Sequence, residues 1–589
     1  MNTWKAGAAA ILVLVLMSGP GLTRPQYSLP FPDPALLSDA RCLSAPDTRN
    51  GLARFLGAAQ AYAQTSSDGT PSAAGQAGYV VRYPVSTAYP EAQDLFDAGL
   101  SLVVSFNHEA GIAAFRAAQT ADPDCAMCYW GEAFAWGSNI NLYPAGDAFR
   151  AGRDAAQAAL ARVEGSSARE RALVEAIAAR FPLSADGTVT EDAAAFAGAM
   201  QAVAEQHPDD NLILSLAAEA NMNTQPWDYW EADRRTPKGR TAATMSLLET
   251  ILTRDPKHVH AIHLYIHAVE ASGDPWRAIP YADRLPELAP RSGHLVHMPS
   301  HIHYLTGQWK ESLELNLKAA KADEVYLAAN DASPIYRFGY YPHNLHFVMT
   351  SAQMAGDRKT ALEYAQKLDA ALPGEMAAVA PWVSVIKAAP YYAHAQFSPA
   401  SQILDLPEPM NVDSVSKAAW HYARAVALVE QGQPESAEAE ARKIALLQGK
   451  ADIEALEAAF LPAKTILEIS IRTIEARAAA RSGDFKKAIG IMEAVADMQD
   501  TLPYSEPPLW YYPARQTLAA LLLQDGQLDR AERMFRRTLL DSPNNAQALY
   551  GLWQTYKAMG DTRSANYTKA LYRKARLGGD RSPPSLSRI

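Results

Sequence analysis

The chain has 589 residues, 48% hydrophobic and 20% charged, an ordinary soluble composition with ample material for a large buried core. Its formal net charge of −10 excludes a nucleic-acid or anionic-membrane surface, which would need clustered Lys and Arg, and no basic stripe occurs. Length alone predicts several domains, but a repeat protein escapes that arithmetic by growing along one axis.

Residues 1–23 read as an export signal. Lys5 supplies the positive start, Ala8 to Met17 carry no charge, and Ser18-Gly19-Pro20-Gly21 breaks the helix. The apolar run is shorter than the roughly 20 residues of a membrane span and fits a signal peptide. No Ala-x-Ala site follows it, so an uncleaved N-terminal anchor is the alternative. No later segment is long and apolar enough to span a bilayer. The expected location is therefore periplasmic or secreted.

Residues 24–89 read as a Pro-rich approach (Arg24 to Pro34) and a low-complexity linker (Thr65 to Gly78), with Tyr79 to Val85 the one stretch expected to be extended. Cys125 and Cys128 form a lone C-x-x-C pair. One such pair is weak evidence for zinc, and in an oxidising compartment a local disulfide is the alternative. Cys42 is then left over. Early divergent helical hairpins are expected between Glu91 and Trp230.

From residue 90 to 575 the text is Ala-rich and periodic at helical spacing. A glycine followed five residues later by a small residue recurs at Gly273/Ala278, Gly307/Ser312, Gly356/Ala361, Gly432/Ala437, Gly483/Ala488, Gly526/Ala531 and Gly560/Ala565. Gly273 to Gly307 and Gly526 to Gly560 are each 34 residues, the tetratricopeptide period. Phe535 and Pro543 sit at the positions that family fills with Phe and a terminal Pro, and Pro290 and Pro373 occupy the same terminal slot. The glycine makes the turn, the small residue admits the second helix closely, and proline ends it. The fold predicted is an all-α superhelical solenoid of about ten to twelve tetratricopeptide-like hairpins. Glu324 to Tyr341 and Thr501 to Pro508 are expected as inserted loops, and 576–589 as a disordered tail.

Eight of the 14 histidines share one register. Counted back from the turn glycine, His260, His263 and His267 stand at −13, −10 and −6, and His294, His297 and His301 repeat those slots. His343 and His346 repeat the first two, with Thr350 at −6. These spacings put each set on one helix face. Resemblance to the tetratricopeptide family implies that this face lines the concave groove, its usual ligand surface.

A packed-core reading would bury too many ring nitrogens without partners. A pH-sensitive or peptide-binding groove is a second reading. The reading taken forward is metal binding, because neutral imidazole is the commonest metal ligand and pairs from neighbouring helices build such sites. Eight ligands exceed one tetrahedral ion, so two or more ions are expected. Nitrogen ligation suits copper, zinc, iron or nickel, with copper preferred in an exported chain rich in nearby tyrosine.

Glu270, three residues after His267, is the expected base or ring-orienting partner. His258, His303 and His108 are expected to be structural. The tyrosines of the first inserted loop, Tyr336, Tyr340 and Tyr341, are placed to cover the site. The aromatic clusters at Trp227 to Trp230 and Trp510 to Tyr512 are expected to pack helices. No Gly-rich phosphate loop, no G-x-S-x-G elbow and no H-E-x-x-H occurs.

The segments Ser105-Phe106-Asn107-His108-Glu109-Ala110, Cys125 to Gly131, His263 to Glu270 and Gly293 to Ile302 resemble a largely uncharacterised group of exported bacterial tetratricopeptide proteins. That resemblance implies the fold and export, and no reaction. The function expected is a multi-histidine metal site in the groove, serving a metal-dependent oxidative or hydrolytic enzyme that takes a small molecule or peptide. The alternative is a non-catalytic scaffold for a protein or peptide partner, or a metal store or carrier. No nucleic-acid partner is expected, nor any membrane contact beyond an N-terminal anchor.

Overall fold

The repeated hairpin is written in the same local chemistry throughout. Gly307, Gly356, Gly432, Gly483, Gly526 and Gly560 all take positive φ, and the small residues Ala278, Ser312, Ala361, Ala437, Ala488, Ala531 and Ala565 after the turns are all buried. The computed structural model describes residues 79–589 apart from 145–146, 331, 333, 374–375, 377–382, 411 and 580–584. The expected export signal, Cys42 and most of the approach and linker lie outside the described residues. Those described belong to one unit, Cys42–Ile589.

The architecture is an all-α solenoid of tetratricopeptide type in which helices consecutive in sequence pack on one another. Among the described residues there is no strand. Residues 79–85 are non-helical and pair with none; instead the Val81 N–H donates to Ser101 Oγ (2.8 Å) and the Tyr83 N–H to Asp97 Oδ1 (3.0 Å). Packed structure thus begins before the expected residue 90. The first hairpin follows, α1 (Pro90–Val103) and α2 (His108–Ala121), joined by a turn in which Phe106 takes φ 62°.

Helix α3 (Val259–Glu270) is buried on every side from His260 onward, as expected of a segment apolar all round. His258 caps it, its Nδ1 accepting the Ala261 N–H. The turn at Gly273 departs from the pattern: its φ is not positive, and the helix expected after it is reduced to a short 3-10 turn, Pro275–Ala278, and two one-turn pieces. Pro280 and Pro286 are the reason, since each lacks the N–H a continuous helix needs.

The second histidine helix is also broken by a proline, into α4 (Gly293–His297) and α5 (Pro299–Leu305). Gly293 is required by space. A Cβ there would lie 1.8 Å from Asp323 Oδ1 on α6 (Trp309–Ala329). Asp323 in turn accepts the Tyr336 hydroxyl (2.7 Å) and the Asn344 amide (2.6 Å), which ties α6 to α7 (Tyr341–Ala355). Most of the expected loop from Glu324 to Tyr341 is helical. Its Ala-rich start prolongs α6, and Tyr336–Tyr340 form a π-turn leading into α7. Such turns are frequent at functional sites.

The last hairpins fold back on the middle of the chain. The Trp309 indole donates to the Pro543 carbonyl (2.9 Å), and the Leu577 N–H to that of Ala355 (2.9 Å). Ile589 is buried, its oxygen accepting from Thr517 (2.8 Å) and Arg477 (3.2 Å). Leu577 and Ile589, both within the segment 576–589 expected as a tail, make these contacts.

Candidate metal centre

The ladder folds into rungs that no single helix displays. Each rung takes two histidines four residues apart in one repeat unit and adds the first histidine of the next. His263 and His267 of α3 meet His294 of α4. His297 and His301, on α4 and α5, meet His343 of α7. In each triad one nitrogen per ring lies within 4.8 Å of the others. The triads adjoin, with ring centroids 5.8 Å apart for His267 and His301 and 6.4 Å for His294 and His297.

Six of the eight expected histidines are thus brought together. The other two are not. His260 turns to the preceding helix, its Nδ1 3.0 Å from Ser215 Oγ and its Nε2 3.1 Å from Glu219 Oε2. Ser215 and Glu219 are again four apart, so the same three-cornered arrangement recurs here with a serine and a glutamate in place of the histidine pair. At the other end His346 turns to Tyr511, its Nε2 2.7 Å from the hydroxyl.

The outer nitrogens are held so that the inner ones face each other. His263 Nδ1 donates to the Val104 carbonyl (3.0 Å), leaving Nε2 3.0 Å from His294 Nε2. His297 Nδ1 donates to Asn316 Oδ1 (2.5 Å), and Asn316 is fixed by donating its amide to the Ser312 carbonyl (2.7 Å). His267 and His301 direct Nδ1 at the two oxygens of Glu270, at 2.9 and 2.6 Å. His267 Nε2 is buried without a partner. A ring whose outer N–H is held by a carboxylate or carbonyl presents a lone pair inward, the arrangement that orients metal-bound histidine.

Burial, followed by the neighbouring rings, pushes the pKa of His267, His294 and His297 well below 6.5 and that of His263 and His343 down to about 3. Neutral imidazoles are what a metal ion requires. His301 is the exception. Burial opposes its charge, but the carboxylates of Glu506 and Glu270 outweigh it and push the pKa up to about 10. Its Nε2 lies 2.6 Å from His297 Nε2. Two lone pairs cannot meet at that distance without a proton or cation. Two nitrogens each about 2.1 Å from one tetrahedral ion stand roughly 3.4 Å apart, so an ion here would spread the pair.

Sequence reasoning named Glu270 and missed the rest of the supporting shell. Glu506, on the loop Thr501 to Pro508, contacts His301 Nδ1. Phe106 packs on three rings of the first triad, with centroids 4.4 Å from His263, 5.4 Å from His294 and 6.1 Å from His267. The signal for Glu506 was a carboxylate inside an insertion, and for Phe106 an aromatic residue in the short turn before His108. His108 itself is structural: both ring nitrogens are engaged, by the Ala135 carbonyl and the Asn139 amide, each at 3.1 Å. His303 pairs with Asp283 (3.0 Å), away from both triads. Cys125 and Cys128 form a disulfide, so zinc at that pair is ruled out. Tyr340, from the π-turn, lies against His294 with centroids 4.8 Å apart.

A cavity of about 270 Å³ reaches both triads, lined by His267, His294, His301 and His343. A neighbouring cavity of about 200 Å³ shares with it His301 and the segment Pro503–Pro507.

No family model matches the chain, and no curated protein matches it. Solved structures similar to it include the human IFIT1 dimer with m7Gppp-AAAA (12% identity, 83% of this chain and 90% of that one, TM-score 0.27). Others are the APC/C hetero-tetramer Cut9-Hcn1 (12%, 79% and 76%, TM-score 0.29) and the P58(IPK) TPR domain (11%, 80% and 99%, TM-score 0.21). At these scores the superpositions carry no functional meaning for this chain.

Proposed function

We propose that this chain is an exported metalloprotein whose two histidine triads each hold a transition-metal ion at the wall of the cavity. The observation that carries the reading is the inward-facing set of Nε2 atoms, two of them 3.0 Å apart at His263 and His294 and one, on His267, buried without a partner. His263, His267 and His294 would hold one ion, and His297, His301 and His343 the other. Glu270 links the two and is itself within ligand distance of His267 and His301. Three nitrogens per ion leave a position open to substrate, the arrangement of catalytic rather than structural sites. Copper is the first choice, with zinc and iron as alternatives for this donor set.

Bound there, the ions would supply Lewis-acid, water-activating or redox chemistry. The residues of the chain do the rest: Glu270 orients one ring of each triad, and Glu506 with Glu270 holds the Nδ1–H of His301, so that an ion would take the place of the proton on its Nε2. Export is supported by the Cys125–Cys128 disulfide, which is at home in an oxidising compartment. Among the described residues no helix is long and apolar enough to cross a membrane.

Equilibrium dialysis of chelator-stripped protein against Cu(II), Zn(II) and Fe(II) tests the proposal. Two tight equivalents of one metal, slow to exchange, support an enzyme centre. Two readily exchanging equivalents point to a store or carrier. No uptake of any of the three contradicts the metal reading and leaves a groove for a protein or peptide partner.

A further inference from the structure

The walls of the 270 Å³ cavity restrict what it can admit. Beside the histidines they are mainly apolar or aromatic, with Trp227, Ile386, Phe460, Leu461 and Leu509 among them, and among the described residues no lysine or arginine lines the cavity. The carboxylate in the lining is Glu506. The positive charge in the wall, on His301, is already paired with Glu270 and Glu506, so an anion entering the metal-free cavity would give up its hydration without a free counter-charge. An apolar cavity of about 150 Å³ already accepts benzene, so this one has room for a substituted ring.

Two nitrogens of lining residues lack a partner, His267 Nε2 in the first triad and His346 Nδ1 outside both triads. His346 is buried and its Nε2 is engaged by the Tyr511 hydroxyl, but its Nδ1 has none. A buried nitrogen left unpaired costs about 1–3 kcal/mol, so a ligand that meets it is favoured by that amount. The wall is also held in place at a conformational cost. Trp227 and Phe460 take φ 64° and 62°, a left-handed backbone that aromatic residues rarely adopt, costing about 1–3 kcal/mol each. Such outliers persist where the surroundings over-determine them, and here two of them line one cavity.

We infer that the cavity binds a small uncharged molecule with a ring-sized apolar body and one hydrogen-bonding group, of which phenol is the simplest example. The hydrogen-bonding group meets His346 Nδ1 and the ring lies among the aromatic walls. That this molecule is the substrate of the centre rests on the metal reading; that it binds rests on the walls alone.

Isothermal titration calorimetry of the full chain with phenol and with benzoate, in metal-stripped and metal-loaded protein at pH 7.5, tests the inference. Phenol is expected to bind both forms, and benzoate to bind the metal-stripped form about tenfold more weakly than phenol or not at all. His346→Phe should weaken phenol by about tenfold, the worth of one hydrogen bond, with metal content unchanged. Ile386→Trp, which fills the cavity and leaves His346 in place, should abolish binding. If His346→Phe fails to fold, Ile386→Trp and the benzoate comparison decide. Benzoate binding the metal-stripped form as tightly as phenol, or no phenol binding to either form, overturns the inference. Phenol binding to a chain that takes up no metal would sink the metal reading and leave this one standing; metal uptake without phenol binding would do the reverse.

Discussion

Glu270 bonds one histidine of each triad: its Oε1 stands 2.9 Å from His267 Nδ1 and its Oε2 2.6 Å from His301 Nδ1. A single buried carboxylate therefore sets the orientation of two rings on different helices. Glu270→Gln keeps the shape but turns one oxygen into an N–H donor facing an imidazole N–H. One ring must then flip its tautomer and withdraw its inward lone pair. Metal affinity is expected to fall about 10–100-fold, as for other outer partners of metal-bound histidine. Chelator competition measures it, and an unchanged affinity would show that Glu270 is only packing.

The triads should also be separable. His263→Ala removes a ligand from the first and His297→Ala from the second, so each variant is expected to lose one ion and keep the other. Loss of both ions in either variant, with helical circular dichroism preserved, would show a single shared site instead.

Much of this was legible in the sequence, and for a physical reason. Turn glycines and the small residues behind them are local requirements of the hairpin, so Gly526 with Ala531 can be read without any tertiary knowledge. The ladder was legible because repeats stack in register, which makes equivalent slots neighbours. The selection of six histidines from eight was not. It depends on each rung taking its third member from the next unit, which leaves His260 facing Ser215 and Glu219. Glu506 and Tyr511 come from hairpins far along the chain, and nothing in the text around His301 or His346 announces them. Prolines explain the local departures: Pro280 and Pro286 dissolve a helix the repeat pattern implied, and Pro299 splits another.

The turn glycines are not equivalent. Gly307 and Gly526 have φ +72° and +79°, but a Cβ on Gly307 would lie 2.1 Å from the Pro543 carbonyl oxygen, whereas nothing lies within 4 Å of one on Gly526. Gly526→Ala should cost about 1 kcal/mol for the left-handed backbone alone. Gly307→Ala should cost clearly more, about 2–3 kcal/mol, because the returning C-terminal hairpin must shift as well. Urea denaturation of the two variants compares them, and equal costs would mean that the return contact adds no stability.

Burial holds the His108 pKa down at about 4, against 6.5 when the ring is free. Between those values the unfolded chain takes up a proton that the folded chain refuses. The contribution is fully present above pH 6.5 and is lost as the pH falls toward 4, up to about 3 kcal/mol by linkage. The stability cost of His108→Gln should therefore shrink as the pH is lowered from 7 to 4.5. A cost independent of pH would show that His108 titrates alike in the folded and the unfolded chain.

The central claim is that the two triads hold metal. It is tested most directly by elemental analysis of protein purified without a His-tag or added metal, beside a variant with His263 and His297 both replaced by alanine. The account predicts about two ions of one transition metal per chain in the first sample and none in the second. Absence of metal from the first, persisting after reconstitution, would contradict it.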